Sequence, residues 1–597
     1  MLEAFRLYYG ITDADSDRAV REKIAGRLLL TDESLREMLP VVFEFFGVPD
    51  PQRPVTRGMD PEAKQRQLFA VLRKEVREGN VASQLVTLIE DLHWMDAGSE
   101  AFLEQWVDAI AGSRSLLLVN FRPEYHAAWT SKSYYRQIPL APLGPEAVRE
   151  LLDDLLGRDA SIDGLAKAIH ERTGGNPFFT EEVVQSLIES GAFEGTRGSY
   201  RLVRPIERLN VPATVQALLA ARIDRLGERE MEVLQAAAVI GKDFAEPILQ
   251  RVVGEIGRSP ISETDLRAAL RVLKDAEFIY EQSLYPVAEY AFKHPLTQEV
   301  ALRSQLQDRR RHTHSAVARA LEAAHAERLD ENAALLAHHH EEADEALDAA
   351  RWHRRAAEWV GLNDIKAALH HWQSVRSLLR MLSHTSETSQ LGASACLGTL
   401  DVGWRLGTPT AEAAGIFEEG RRLAEESGDL RTLAALNGVY ACRLGLVGGA
   451  SDEYVSYSRE ATRLADQTED QGLQIAERSF LAFACLFAGR LAEGIEACDS
   501  AFQRLPADPA LGAEFSGYSP FLGILCAQAW MLCRLGRLNE ATAVCERAES
   551  LARAHGDNEV FTWLQIARIE LDWSYPVSVD SFGLGCLMVL AASEFSH

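Results

Sequence analysis

Two short apolar runs frame the first part of the chain. Leu85–Ile89 (LVTLI) and Leu116–Asn120 (LLLVN) lack polar alternation, and the amphipathic stretch Gly98–Ile110 between them is long enough for one helix. Runs of this kind predict parallel strands buried on both faces and joined by a crossover helix. Gln137–Leu140 predicts one more short strand. Residues 1 to about 80 read as charged helices, punctuated by Pro49, Pro51 and Pro54.

Beyond Pro145 the period becomes helical, and Gly174-Gly175-Asn176-Pro177 separates two helices. Three or four helices are expected between Val211 and Leu306. Strands at Phe278–Glu281 and Glu289–Phe292 follow them, with a turn at Leu284-Tyr285-Pro286. Helices followed by a hairpin predict a winged-helix-like domain, which serves protein contacts as well as DNA. After Arg310 nearly everything is helical, in blocks at 356–379, 411–426, 481–505 and 527–554. A turn-plus-helix motif recurs at Gly489-Arg490-Leu491 and Gly536-Arg537-Leu538, 47 residues apart. That exceeds the roughly 34 residues of one tetratricopeptide unit, so the repeat is degenerate or carries insertions. Stacked hairpins of this type make a concave surface for a protein partner.

The expected class is therefore mainly α with an N-terminal α/β part. It comprises a partial P-loop NTPase-like sheet (1–140), a helical segment (141–195), a winged-helix-like domain (196–310), a tetratricopeptide-like solenoid (311–575) and an irregular tail (576–597). A length of 597 residues agrees with several domains. With 62 basic against 88 acidic residues the chain carries −26, which repels phosphate backbones, so no nucleic-acid partner is expected. Eight cysteines, all in the C-terminal third and without a Cys-x-x-Cys pair, read as small buried hydrophobes in a reducing cytoplasm. No run approaches the ~18 apolar residues of a membrane span. The apolar tail 582–592 reads as a docked helix or an aberrant end.

The chemistry concentrates at the strand ends. Glu90 and Asp91 follow the first strand as the acids of a Walker B segment do: one carboxylate holds Mg2+, usually through water, and the other orients the attacking water. Arg122, just past the second strand, is placed to reach a γ-phosphate; its blander reading is a loop arginine paired with Glu124. Gly175-Asn176-Pro177 is a rigid turn able to face an adenine, or a plain helix connection. No Gly-x-x-x-x-Gly-Lys-Ser/Thr loop occurs in the 597 residues. Gly241-Lys242 is a decoy, because Ala236 stands where the first glycine belongs and Asp243 replaces Ser/Thr. His338-His339-His340 cannot converge on one metal from consecutive helical positions and reads as a solvated face. His93 reads as positioning a nucleotide or capping the sheet, and Trp94 as core.

In order, Ile89-Glu90-Asp91-Leu92-His93-Trp94-Met95-Asp96, Asn120-Phe121-Arg122-Pro123-Glu124, Gly175-Asn176-Pro177-Phe178-Phe179 and Phe292-Lys293-His294-Pro295-Leu296-Thr297-Gln298-Glu299 resemble the STAND branch of AAA+ signal-transduction ATPases. More narrowly, they resemble the ATPase and repeat portion that follows class III adenylate/guanylate cyclase domains in bacterial regulators. The resemblance spans residues 1 to about 560. It implies ATP and Mg2+ as ligands, Glu90 on the metal, Asp91 orienting water, Arg122 as the sensor 1 arginine, and Gly175 with Pro177 against adenine. It also implies a cyclase or other effector as partner. Because such proteins carry the phosphate loop upstream of Walker B, the expectation is a truncated form with impaired ATP binding and hydrolysis. The rival readings are a non-enzymatic repeat scaffold and an ATPase whose phosphate loop is supplied elsewhere.

Overall fold

The computed structural model describes residues 2–12, 15–50, 53, 61–79, 85–162, 164–203, 214–257, 261–283, 287–361, 364–403, 405–448 and 451–574. The turn expected at 284–286 and the tail beyond residue 574 lie outside them. Over the described residues the chain is mainly helical with three small sheets, and it divides into two compact units. One comprises Met1–Tyr135 and Ala350–His597, the other Arg136–Ala349.

In the first unit, helices Asp17–Thr31, Leu39–Phe45 and Pro61–Lys74 enclose a core of Ile24, Leu28, Leu35, Val42 and Phe43. Strands β1 (Leu85–Ile89) and β2 (Ser115–Val119) pair in parallel, Leu85 opposite Ser115 and Ile89 opposite Val119. Helix Ala97–Ile110 connects them, started by Asp96, whose side chain accepts the Ser99 amide. Leu103 and Val107 of that helix pack with Leu92 and Trp129.

Burial of the strands on both faces does not hold. The side chains alternate, and Val86, Leu88, Leu116 and Leu118 are 50–64% exposed. A parallel strand is covered twice only where a layer lies on each face, and among the described residues this sheet has two strands and no cover over that apolar side. The strand expected at Gln137–Leu140 is also absent. Those residues are irregular, with Ile138 and Leu140 exposed and, among the described residues, no neighbouring strand to take their backbone groups.

The described residues between 365 and 574 form paired helices, among them Gln471–Phe487 with Leu491–Arg504 and Pro520–Arg534 with Leu538–His555. Their turns are alike in kind. Gly489 and Gly536 take left-handed φ of 70° and 74°, and Arg490 and Arg537 each donate back five residues, to Cys485 and Leu532, at 2.9 Å. The sequence repeat is thus one helix-ending motif used twice, glycine supplying the φ that other residues resist.

In the second unit, helices Pro145–Leu156, Leu165–Thr173 and Pro177–Glu189 close over Val148, Leu152, Ile169 and Val183, and β3 (Phe193–Glu194) pairs with β4 (Arg201–Leu202). Helix Glu228–Ile240 leads to β5 (Asp243–Ala245), two helices, then β6 (Ile279–Ser283) and β7 (Glu289–Phe292), in sheet order β5-β7-β6. β5 is not expected from the sequence: three residues after Gly241-Lys242 show no period, and antiparallel pairing with β7 creates the strand. No described helix is long and apolar enough to cross a membrane.

Candidate functional site

The ends of β1 and β2 meet through Asn120. Its side-chain oxygen accepts the Asp91 amide at 2.7 Å, its Nδ2 lies 3.4 Å from Glu90 Oε1, and its carbonyl accepts the Leu92 amide at 3.1 Å. The residue therefore ties the two acids to the neighbouring strand. Its signal in the sequence is the one polar position closing LLLVN, opposite the acids, and the strand pattern by itself assigns it no role. Asp91 takes a left-handed backbone, φ 55° and ψ 45°, a sparsely populated state for a residue with a Cβ, and such states concentrate at functional sites.

Glu90 and Arg122 are exposed and Asp91 is half-buried. The Arg122 guanidinium has no ion pair among the described residues, so its pairing with Glu124 is not made. Both ring nitrogens of His93 are buried without a hydrogen-bond partner. Its ring lies 5.3 Å from that of Trp94. Trp94 is 77% exposed, which corrects its expected place in the core; it ends the one-turn helix Leu92–Trp94, whose Leu92 takes the buried position instead.

Gly175 and Pro177 belong to the other unit. Gly175 has φ 75°, its carbonyl accepts the Leu143 amide at 2.8 Å, and a Cβ there would stand 2.1 Å from the Leu143 oxygen. Only glycine fits. Asn176 caps the next helix by accepting the Phe179 amide, and Pro177 opens that helix with its ring exposed. The third and fourth motifs meet at this helix: Phe178 stacks on His294 at 3.8 Å, and Lys293 lies 3.5 Å from Glu181. Beneath them Arg222, 1% exposed, pairs with Glu182 and Glu189 and donates to the Ala276 carbonyl at 2.6 Å. Burial opposes its charge, but the carboxylates hold its pKa above the usual value. Nothing in the spacing of these residues announces that network.

The histidine run is not a solvated face. His339 and His340 are buried and His338 alone is exposed, because the helix packs on Gln307–Ala324. His339 Nδ1 lies 3.0 Å from His314 Nδ1. Burial, then neighbouring histidines, lower His314 to about 4 and His339 to about 3, so both rings are neutral at pH 7.

A family described as Domain of unknown function (DUF8739) matches residues 144–194, the three-helix segment with the Gly175 turn. An uncharacterized protein of Rhizobium meliloti (strain 1021) is 26% identical over 257 residues, 43% of this chain and 24% of that protein. The matched stretch is thus about a quarter of the relative's length. Among solved structures, a Signal Transduction ATPase with Numerous Domains (STAND) protein with a tetratricopeptide repeat sensor, from Pyrococcus horikoshii, aligns over 98% of this chain and 83% of its own. Its TM-score is 0.39 and its identity 12%. Aspartyl phosphate phosphatase F from Bacillus subtilis aligns over 64% of this chain and 86% of its own, with TM-score 0.32 and 11% identity.

Proposed function

We propose that this chain is the regulatory, nucleotide-responsive and repeat-bearing part of a multidomain bacterial signal-transduction ATPase of the STAND type. The observation that carries the reading is the strand-end arrangement: two acids and an arginine without an ion pair among the described residues, at the carboxyl ends of adjacent parallel strands, where open α/β sheets bind ligands. The donors are hard oxygens and fit Mg2+, which when bound would neutralise phosphate charge. In this reading Glu90 holds the metal side, Asp91 orients water and Arg122 reaches the terminal phosphate, while Gly175 with Pro177, in the other unit, keeps the adenine role that the family resemblance implies. The 597 residues hold no Gly-x-x-x-x-Gly-Lys-Ser/Thr, so the backbone amides and lysine that grip phosphates in such proteins are missing. ATP binding by this polypeptide alone is therefore weak, and hydrolysis slow. Among the described residues nothing covers the apolar side of β1 and β2, which in this reading is a face for a further layer.

Helix, strand, two helices and hairpin over 228–292 read as a winged-helix-like relay, and the paired helices after residue 311 as the platform for a protein partner or effector, a cyclase in the narrow form of the proposal. The test is the metal dependence of nucleotide contact. Addition of ATP changes the fluorescence of the exposed Trp94 only when Mg2+ is present, and Glu90→Gln abolishes the change. A response independent of Mg2+, or unaltered in Glu90→Gln, would overturn the assignment.

A further inference from the structure

The turn between helices Ala333–Glu342 and Ala346–Val360 gathers three side chains of metal-ligating type. Asp344 takes a left-handed φ of 65°, and the chain doubles back so that the Glu345 amide donates to the His340 carbonyl at 2.9 Å. This reversal lays the Glu345 carboxylate against the imidazole, with 2.7 Å between Oε2 and Nδ1 of His340. Asp348 follows three residues later in the next helix, on the same face as Glu345. One ligand atom from each of His340, Glu345 and Asp348 lies within 4.8 Å of the others. Consecutive histidines still do not converge. A single histidine joined across a turn by two acids does.

The surroundings supply a second, independent observation. His340 is buried, and its other nitrogen, Nε2, lies 3.4 Å from Glu322 Oε1 on helix Gln307–Ala324. Glu345 Oε1 accepts the Ser315 hydroxyl at 2.5 Å, and Ser315 Oγ in turn accepts from Arg319. A neutral imidazole has one N–H and one bare lone pair. With carboxylate oxygens at both nitrogens, a neutral ring turns one lone pair toward an acceptor, a conflict that either a proton or a metal ion at that nitrogen relieves. A cation on Nδ1 removes the conflict and leaves Nε2–H to donate to Glu322, the carboxylate–histidine pairing that orients metal ligands.

We propose that His340, Glu345 and Asp348 form a site for a divalent transition metal, zinc fitting best, with Glu322 positioning the imidazole. A nitrogen ligand with two carboxylates suits Zn2+ over Mg2+, which keeps to oxygen. At metal–ligand distances of about 2.0–2.2 Å in a tetrahedral site, Nδ1 and Oε2 part to roughly 3.3 Å, a small opening of the turn, and a fourth position remains for water. The site is separate from the strand-end acids and independent of any nucleotide.

The full chain, stripped with a chelator, is titrated with Zn2+ against a chromogenic chelator and with Co2+ followed by visible absorption. One equivalent of zinc and tetrahedral-type cobalt bands are expected. His340→Gln and Asp348→Asn lose both, Glu322→Gln weakens zinc by about tenfold, and His338→Ala, at the exposed neighbour, binds as the parent does. Zinc raises the melting temperature of the parent and not of Asp348→Asn, whose circular dichroism separates a lost ligand from a lost fold. Absence of a stoichiometric equivalent, equal binding in Asp348→Asn, or loss in His338→Ala overturns the proposal; a proton on the imidazole, rather than a metal, then bridges the ring to the carboxylates.

Discussion

Glu75 shows how a single side chain sets a pH dependence. Its carboxyl is 4% exposed and accepts the Tyr9 hydroxyl at 2.6 Å. Burial raises its pKa to about 7, against the opposing pull of that hydrogen bond. The native chain thus keeps a proton that the unfolded chain releases near 4.5, so the stability is full below about 4.5 and is lost as the pH rises through 7. Glu75→Gln keeps an acceptor for Tyr9 and removes the titration. It is expected to flatten the stability profile between about pH 4.5 and 8 and to add up to about 3 kcal/mol at pH 8, at about 1.36 kcal/mol per pKa unit. Urea unfolding at the two pH values checks this, and an unchanged slope in the variant would refute it. Gly175→Ala tests the turn: left-handed φ and the Leu143 backbone both resist a Cβ, so a loss above about 2 kcal/mol is expected in thermal unfolding. At this scale the sequence shows which residues carry charge at the strand ends. It does not show the left-handed Asp91, the Asn120 bridge or the buried Arg222, because each depends on a partner at least 29 residues away.

Among the elements, β1 lies where its composition puts it, ending at Ile89 just before the acids, and the crossover helix starts at its Asp96 cap. Apolar composition alone does not report how many layers cover a strand, and for that reason two-sided burial is expected and one-sided burial is found. The difference is measurable. Leu88→Thr, on the open side, should leave stability within about 0.5 kcal/mol, while Leu103→Ala, fully buried beneath the other side, should cost about 2–5 kcal/mol. An equal and large cost for both would mean that the open side is packed. β5 and the missing strand at 137–140 teach the same lesson from opposite directions, since a strand three residues long exists by pairing, and Gln137-Ile138-Pro139-Leu140, with no neighbouring strand among the described residues, does not become one.

Over the whole molecule, the helical repeats and the burial of most of the described cysteines are legible in the sequence. None of the seven described cysteines is in a disulfide. Burial raises Cys396 and Cys545 to about 12 and Cys442 and Cys485 to about 11. These thiols should react with a disulfide reagent at pH 8 far more slowly in the native chain than after denaturation; rapid native reaction at all of them would contradict the packed solenoid. The acids and arginine at the sheet edge are legible too, as an ordered pair of strand ends, whereas the function they serve depends on a ligand that sequence pattern does not display. Calorimetric titration of the chain with Mg2+–ATP addresses that function most directly. The account predicts weak binding, with Kd above about 0.1 mM, that requires Mg2+ and disappears in Glu90→Gln and Asp91→Asn; one-to-one binding at submicromolar Kd, indifferent to those substitutions, would contradict it.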